Sequence, residues 1–510
     1  MPRPSLIGLV SITLLLGLLI SAHSQSLPSD NHRGELIEKV TCADKPGQSY
    51  ALYVPSYYSS DKRWPVLYAL DPGARGKLPI EHLKDAAEKY GWIVAGSNNS
   101  RNGPIQQSID AMNAMWNDTH QRFVIDDRRI YFAGFSGGAR AAVTIATACG
   151  ECAAGVIAGG AGFPAGLAPS PATQFAFFGT VGIEDFNFPE LKNLEEVLTK
   201  SGVPHQIKIF DGRHEWAPPA IMTEAVEWME LRAMRAGTVA RNNALINGLW
   251  QERIRRAEEF EAAKEFYEAY QVYLSVANAF PSLHDLTQVE KKIVSLGSSR
   301  EVKDAMRREE QEIKKQRELE SQIHRLLSGR TGNASVFSDD NPGANGGATD
   351  LQRITRAPAD INNQSSSAED DASSLSAKNK LQSMFADLEK AARSAPDTSE
   401  RRVARRVTGG LYVALFEQGV NLLETQKRYA AAVRSFELAT NLAPDRSGAF
   451  YYLASALALN GEKKRALQAL NQAVDKGFSD SEALKTNKAF DSLRKERAYQ
   501  QIIQKLDAAR

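Results

Sequence analysis

Short apolar runs alternate with amphipathic stretches over the first half of the chain. Runs rich in β-branched and aromatic residues, bounded by Gly, Pro or Asp, predict strands at 49–54, 64–70, 92–96, 129–134, 154–159, 174–181 and 205–210. The stretches between them predict helices, among them 80–89, 105–119, 137–148, 189–200 and 218–234. Continuous apolar strands that alternate with helices are typical of a mostly parallel sheet covered on both faces. We therefore predict an α/β domain over residues 35–236.

Beyond residue 240 the pattern becomes almost purely helical, and it repeats. A set of small and aromatic residues recurs after 34 residues, as Ala432, Phe436, Ala439 and Pro444 and then Ala466, Leu470 and Ala473. This is the tetratricopeptide period, and such repeats bind protein partners on a concave surface. A weaker copy, for which a plain helical hairpin is the alternative, has Ala269, Tyr273, Val276 and Pro281. These segments resemble tetratricopeptide repeats and predict a repeat domain over 378–510, with a repeat-like hairpin and a charged helix over 250–327.

Two stretches between these copies lack the pattern of a packed core. Residues 300–327 are dense in Glu, Lys, Arg and Gln, which predicts a solvated helix or a weak coiled coil. Residues 328–377 are rich in Ser, Asn, Asp, Gly and Ala, with Phe337 as their single aromatic. Because such a stretch buries too little apolar surface to offset its ordering entropy, it predicts a disordered linker.

The N-terminus predicts the compartment. Arg3 precedes an apolar run at 6–20, which is shorter than the roughly 20 residues that span a bilayer. Small residues at Ala22 and Ser24 suit cleavage before Gln25, so residues 1–24 are expected to be a signal peptide and the protein to be periplasmic or secreted. An uncleaved membrane anchor is the alternative. No other long apolar segment follows, so no stable membrane insertion is expected after cleavage.

Length and composition limit the class of protein. At 510 residues the chain is long enough for more than one core. Hydrophobic residues at 43% and charged residues at 24% exclude a wholly disordered, collagen-like or polytopic membrane protein. The formal net charge of +1 gives no electrostatic basis for binding nucleic acid, so no such partner is expected.

The chain has three cysteines, Cys42, Cys149 and Cys152. In an exported protein they can form one disulfide with one thiol left over, but the sequence does not select the pair. The spacing of Cys149 and Cys152 is that of a redox motif without its thioredoxin-like strand context, so a structural disulfide or buried thiols are favoured. A single such pair is also poor support for zinc, and no metal is expected.

A serine lies in a motif with a known local geometry. The segment Gly134-Phe135-Ser136-Gly137-Gly138 fits the pattern G-x-S-x-G. A predicted strand leads into it and a predicted helix follows, which is the context that the motif requires. The glycines two residues before and after the serine allow a tight turn that raises the hydroxyl above the sheet edge. We predict Ser136 as a nucleophile.

A serine hydroxyl needs a base to become nucleophilic, and the base needs an orienting acid. Asp185 lies in the loop after the strand predicted at 174–181, and His214 lies in the loop after 205–210. The order Ser136, Asp185, His214 is the one expected of α/β-hydrolases. We predict these three residues as a catalytic triad.

Other carboxylates and histidines compete for these roles. Glu184 is the nearest alternative acid, and Asp211 is a weaker one. His82, His120 and His205 do not follow the carboxyl end of a predicted strand, so they are interpreted as surface or core-edge histidines.

An acyl-transfer site also needs donors for the tetrahedral oxyanion. One donor is expected to be the backbone N–H of Gly137, directly after the nucleophile. The second is expected in the glycine-rich loop after the strand at 64–70, with Gly73 or Ala74 as the candidates. A simple glycine turn without this role is the alternative for that loop.

Residues 35–236 resemble α/β-hydrolases, in particular the secreted esterases that include polyhydroxybutyrate depolymerases and feruloyl or acetylxylan esterases. The resemblance rests on the serine turn and on two loops, Gly182-Ile183-Glu184-Asp185-Phe186-Asn187 and Gly212-Arg213-His214-Glu215-Trp216. One departure lies in the first oxyanion loop. Relatives often have His-Gly there, and this chain has Asp71-Pro72-Gly73.

The resemblance implies a serine esterase that needs no cofactor. His214 would take the Ser136 proton, and water would then hydrolyse the acyl-enzyme. Phe135, Phe186 and Trp216 are candidates for lining an acyl or aryl pocket, with ordinary packing as the alternative.

Together these features predict an exported esterase that acts on a small or polymeric ester and binds a protein partner through its repeats. Two alternatives stay open: a catalytically inactive, hydrolase-like interaction protein, and a peptidase on the same fold. Deletion of residues 378–510 is expected to leave the turnover of small esters nearly unchanged.

Overall fold

The computed structural model describes residues 32–327 and 368–508. The signal peptide predicted at 1–24 lies outside these residues, as does most of the linker predicted at 328–377. In the two described ranges, no helix combines the length and the apolar character needed to cross a membrane.

Eight strands form one sheet in the order β1-β2-β4-β3-β5-β6-β7-β8. The first two strands pair antiparallel, β2 also pairs antiparallel with β4, and every pair from β4 to β8 is parallel. The predicted α/β class with a mostly parallel sheet is therefore confirmed. The strands are β1 (Leu36–Cys42), β2 (Lys45–Tyr53), β3 (Trp64–Leu70), β4 (Ile93–Ser97), β5 (Ile125–Phe135), β6 (Ala153–Gly159), β7 (Ala176–Gly182) and β8 (His205–Phe210).

Helices cover both faces of this sheet. Successive side chains of β3 point to opposite faces: Leu67 and Ala69 join one buried apolar cluster with α1 and α5, while Val66 and Tyr68 join another with α2, α3 and α4. Burial on both faces explains why β3 is apolar throughout. The covering helices are α1 (Lys77–Tyr90), α2 (Ile105–Arg122), α3 (Gly137–Cys149), α4 (Phe188–Lys200) and α5 (Pro219–Arg235).

The rest of the described chain is helical, as expected. This part also contains a π turn at Asn421–Thr425 and a 3-10 turn at Lys488–Leu493, and a further 3-10 turn at Gly150–Cys152 lies between α3 and β6. The remaining helices are α6 (Asn243–Ala262), α7 (Phe266–Ala279), α8 (Thr287–Ser298), α9 (Arg300–Leu327), α10 (Ala368–Ala392), α11 (Ser399–Val420), α12 (Tyr429–Leu442), α13 (Ser447–Leu459), α14 (Lys463–Asp475), α15 (Ser481–Thr486) and α16 (Arg497–Ala508).

The positions that carry the sequence repeat, except Pro444 in the turn after residue 442, lie inside helices and are buried. Helices α12 and α14 contain them, and α13 lies between these two along the chain. The alanines leave room for neighbouring helices to approach closely, and each of the residues Ala432, Phe436, Ala439, Ala466, Leu470 and Ala473 has no exposed surface. Helices α6 to α8 do not join the cluster of these repeat helices. Their apolar residues continue the cluster that covers one face of the sheet.

Two features differ from the expectations for the middle of the chain. Helix α10 begins at Ala368, so the last part of the predicted linker, 368–377, is helical. Helix α9 is not simply solvated, because Glu312, Gln316 and Glu320 are buried. The sequence alone does not reveal this burial, since the partners of Glu312 lie on α11, where Arg402 forms an ion pair with it.

The structure selects one cysteine pair from those left open. Cys149 and Cys152 form a disulfide at the end of α3, in the 3-10 turn that leads into β6. Cys42 is a buried free thiol. The Cys149–Cys152 pair therefore holds the connection between a helix and a strand of the central sheet.

Candidate active site

Ser136 lies at a strained turn between β5 and α3. Its backbone has φ of 52° and ψ of −120°, a conformation that side-chain-bearing residues rarely adopt. The turn is tight enough that a Cβ at Gly134 would overlap the carbonyl oxygen of Gly138, and a Cβ at Gly138 would overlap that of Leu70. The two glycines are therefore required by close approach of backbone, and the strain presents the Ser136 hydroxyl at the carboxyl edge of the sheet.

The three residues predicted as a triad come together. The Ser136 Oγ and His214 Nε2 atoms are 2.9 Å apart. His214 Nδ1 lies 2.9 Å from Asp185 Oδ1 and 3.0 Å from Asp185 Oδ2. Because a carboxylate only accepts hydrogen bonds, this contact favours the imidazole tautomer with its proton on Nδ1, and it leaves Nε2 free to accept the serine proton.

The acid is buried and fixed by its own loop. Asp185 has no exposed surface. The backbone N–H of Asn187 donates to Asp185 Oδ1 at 2.8 Å, and the Asn187 side-chain amide donates to the carbonyl oxygen of Gly160 at 2.6 Å. The first bond restrains the Asp185 carboxylate, and the second ties its loop to the turn at Gly160.

The competing acids face elsewhere. Glu184 accepts from Arg405 Nη1 at 2.7 and 2.6 Å, and it pairs with Arg401 at 3.3 Å and Arg213 at 3.6 Å. Asp211 is exposed. The structure therefore brings only Asp185, among the proposed acids, to His214.

The other histidines of the domain have local partners. His82, His120 and His205 each place Nδ1 2.8 Å from a backbone carbonyl oxygen, those of Ala217, Trp116 and Val203 in turn. These contacts agree with their interpretation as surface or core-edge histidines.

The loop expected to supply the second oxyanion donor uses its amides internally. The Gly73 N–H donates to Asp71 Oδ1 at 2.8 Å, and the Ala74 N–H donates to the Asp71 carbonyl oxygen at 3.1 Å. Asp71 is fully buried and also accepts from Arg75 at 2.8 and 3.0 Å. The aspartate that replaces the usual histidine thus ties the loop together, and in this conformation neither Gly73 nor Ala74 offers a free amide.

The three aromatic residues predicted to line a pocket lie around the imidazole or the Asp71 loop. Phe135 and Phe186 are buried, with ring centroids 4.6 and 4.2 Å from that of His214. Trp216 is buried and donates its indole N–H to Asp71 Oδ2 at 2.9 Å. These contacts show packing around the site, and the role of these residues in lining a pocket stays a prediction.

Gly137 begins α3, directly beside the side chain of Asn102. A Cβ at Gly137 would overlap Asn102 Oδ1. The backbone N–H groups of Ala139 and Arg140 already donate to the carbonyl oxygen of Ser136. The predicted donor therefore lies at the N-terminus of a helix, where the macrodipole favours negative charge.

The helices after the sheet domain contact the loop at 183–187 that carries Asp185, here called the acid loop. The sequence analysis did not predict this contact. On α11, the Arg406 Nε–H donates to the carbonyl oxygen of Ile183 at 2.6 Å. On α9, the Gln316 side-chain amide donates to the carbonyl oxygen of Phe186 at 2.9 Å. Burial lowers the pKa of Arg406 to about 10. The only sequence signal for this docking is the run of four arginines at 401, 402, 405 and 406 on one helix.

The same helix also reaches the rim of the site. The Asn102 Nδ2 group donates to Glu417 Oε1 at 2.7 Å. Desolvation raises the pKa of the Glu417 carboxyl, while the hydrogen bond from Asn102 and the charges of His214 and Arg140 act in the opposite direction. Glu417 thus lies one hydrogen bond from Asn102, whose side chain contacts Gly137. Within the described ranges, no three His, Cys, Asp or Glu side chains are grouped as a metal site requires.

Comparison with known proteins finds similarity in the part of the chain that holds this site. The model of the dienelactone hydrolase family matches residues 87–220, a range that includes Ser136, Asp185 and His214. In the search of curated proteins nothing matches.

Several solved hydrolases are similar to part of this chain at low identity. An S-formylglutathione hydrolase from Staphylococcus aureus is 17% identical, covers 36% of this chain and 90% of its own, and has a TM-score of 0.31. A ferulic acid esterase is 16% identical, with coverages of 38% and 97% and a TM-score of 0.31. Esterase B from Lactobacillus rhamnosis is 14% identical, with coverages of 40% and 90% and a TM-score of 0.31.

Proposed function

We propose that this protein is a serine hydrolase that cleaves carboxylic esters through an acyl-enzyme on Ser136. The observation that carries the proposal is the unbroken chain of contacts from Ser136 Oγ to His214 Nε2 and from His214 Nδ1 to Asp185. The family match over 87–220 supports it, because it spans all three residues.

The reaction follows from the proton positions in this chain of contacts. His214 Nε2 accepts the Ser136 proton as the oxygen attacks the ester carbonyl, and the proton then passes to the departing alkoxide. Water, deprotonated by the same nitrogen, attacks the acyl-enzyme and releases the acid. Throughout, the buried Asp185 carboxylate stabilises the positive charge that forms on the imidazole.

The oxyanion forms beside the N-terminus of α3. The Gly137 N–H is the donor that the turn geometry favours, since it directly follows the nucleophile. The Asp71 turn must change its internal hydrogen bonds before Gly73 or Ala74 can contribute a second donor.

We also propose the finer roles expected of the rest of the chain. Residues 1–24 would direct export to the periplasm or beyond, on the basis of their charge and apolar pattern. Helices α12 to α14 would form tetratricopeptide-type hairpins that bind a protein partner, on the basis of the 34-residue repeat and its buried positions.

Covalent labelling tests the enzymatic proposal directly. The protein is treated with a fluorophosphonate and the labelled peptide is mapped, while hydrolysis of 4-nitrophenyl acetate is followed for the parent, Ser136→Ala and Ser298→Ala. Ser298 is an exposed serine on α8 and serves as the control. We expect label on Ser136 and a loss of turnover on the order of 10⁶ in Ser136→Ala alone. Equal turnover in the parent and Ser136→Ala would reject the proposal.

A further inference from the structure

The catalytic cleft has one wall from the sheet domain and one from the C-terminal helices. The sheet-domain wall includes Asn102, in the loop after β4, with its side chain against Gly137. The opposite wall is the last part of α11, where Glu417 accepts a hydrogen bond from Asn102 at 2.7 Å. Glu417 is therefore linked through Asn102 to the residue that directly follows the nucleophile.

Glu417 faces open space at this position. Its side chain and that of Asn102 are exposed, and Ser136 is half-buried. The surrounding protein nevertheless desolvates the Glu417 carboxyl, and the charge of His214 acts on it. Glu417 is thus accessible to solvent and bonded to Asn102, whose side chain contacts the residue after the nucleophile.

The other charges around the cleft are already balanced. Arg140 forms a two-point contact with Glu190 at 3.0 and 2.7 Å, and Glu184 is paired with Arg405. In the described part of the chain, no Lys or Arg lies within ion-pair distance of Glu417, whose hydrogen-bond donor is the neutral amide of Asn102. Glu417 is thus a carboxylate near Ser136 that has no cationic partner among the described residues.

One further cation lies on the same loop. Arg101 directly precedes Asn102 and is exposed. Burial raises the pKa of Tyr452, and the charge of Arg101 opposes that rise. The charge of Arg101 thus acts on Tyr452 of α13, and among the described residues Arg101 forms no ion pair with Glu417.

We infer that Glu417 is a specificity-determining residue that binds a cationic group of the substrate, so that the preferred esters carry an ammonium group on their acyl or alcohol portion. This inference rests on the proposed esterase function. A carboxylate at a partly desolvated site attracts a cation within a few ångströms more strongly than bulk water would allow, whereas a neutral group of the same shape gains nothing from it.

Two isosteric pairs of esters test the inference. On the alcohol side, acetylcholine is compared with 3,3-dimethylbutyl acetate, which has the same shape without the charge. On the acyl side, 4-nitrophenyl 6-aminohexanoate is compared with 4-nitrophenyl heptanoate. The quantity measured is the ratio of kcat/KM for the cationic ester to that for its neutral partner, in the parent, Glu417→Gln and Glu424→Gln.

Glu417→Gln removes the charge but keeps an oxygen that accepts from Asn102. Glu424→Gln makes the same change of net charge at an exposed position on the π turn after α11. We expect the parent to favour the cationic member of at least one pair about tenfold, Glu417→Gln to abolish that preference, and Glu424→Gln to retain it. Thermal unfolding of each variant verifies that the fold is kept.

Two other results have distinct meanings. If the ratios for both pairs are the same in the parent and in Glu417→Gln, the inference is overturned while the esterase proposal stands. If none of the four esters is hydrolysed in a Ser136-dependent manner, the proposed function is rejected and the inference with it.

Discussion

Two adjacent carboxylates, Asp185 and Glu184, have entirely different surroundings, so their amide variants should differ sharply. Asp185→Asn replaces a carboxylate that contacts His214 Nδ1 through both oxygens. Asparagine presents an N–H₂ group on one side, which cannot accept the Nδ1 proton and favours the wrong tautomer. Glu184→Gln leaves the imidazole untouched and removes the charge that pairs with Arg405.

The size of each effect follows from these contacts. By analogy with triads of the same geometry, Asp185→Asn should lower kcat about 10⁴-fold, which is about 5 kcal/mol of transition-state stabilisation. Glu184 is buried and Arg405 is only slightly exposed, so their charge-assisted hydrogen bonds should contribute about 2 kcal/mol to the free energy of unfolding. We expect Glu184→Gln to keep kcat within about tenfold of the parent.

The assay combines turnover with stability. Initial rates with 4-nitrophenyl acetate at saturation give kcat for both variants, and denaturant titration gives the free energy of unfolding. The expected pattern is a large kcat loss with little loss of stability for Asp185→Asn, and the reverse for Glu184→Gln. If Glu184→Gln loses as much kcat as Asp185→Asn, the assignment of Asp185 as the orienting acid is wrong.

Three further variants or conditions test other parts of the structure. Arg406→Met should lower the free energy of unfolding by about 1–3 kcal/mol and also reduce kcat, because the part-buried carbonyl oxygen of Ile183 loses its donor. Unchanged kcat and stability would contradict a role of this hydrogen bond in holding the loop that carries Asp185. Gly138→Ala should give little folded protein in a solubility and circular-dichroism assay, because its Cβ would overlap the backbone of Leu70. Burial raises the pKa of Cys42 from 9.0 to about 11, so its stabilising effect should be complete below pH 9 and be lost as the pH rises towards 11; a denaturation series that is flat from pH 8 to 11 would argue against it.

The sheet and the turn at Ser136 were predictable because both depend on local sequence. Strands such as β3 and β8 read as apolar runs between turn residues, and their observed bounds match the predicted ones. The strained turn at Ser136 follows from glycines at fixed spacing, since only glycine allows that approach of backbone. β1 was not predicted, because Glu38 and Lys39 interrupt its apolar pattern at the edge of the sheet.

Contacts between distant segments were not predictable in the same way. Nothing in the local pattern of α9 shows that Glu312 would be buried, since its partner Arg402 lies 90 residues further along the chain. The internal hydrogen bonds of the Asp71 turn depend on three-dimensional placement of a single carboxylate, and a sequence pattern records only that an aspartate is present. For the same reason the sequence analysis treats residues 378–510 as dispensable for turnover, whereas the contacts of α11 with the acid loop predict that their deletion impairs it.

The contacts between α11 and the acid loop bear on the order in which the parts of the protein fold. Glu184 and Arg405 are separated by 221 residues in the chain, and contacts of such high sequence separation form late in folding. We therefore expect the sheet to assemble before Ser136 becomes reactive, so that a refolding experiment recovers secondary structure first and hydrolytic activity only after the C-terminal helices have docked.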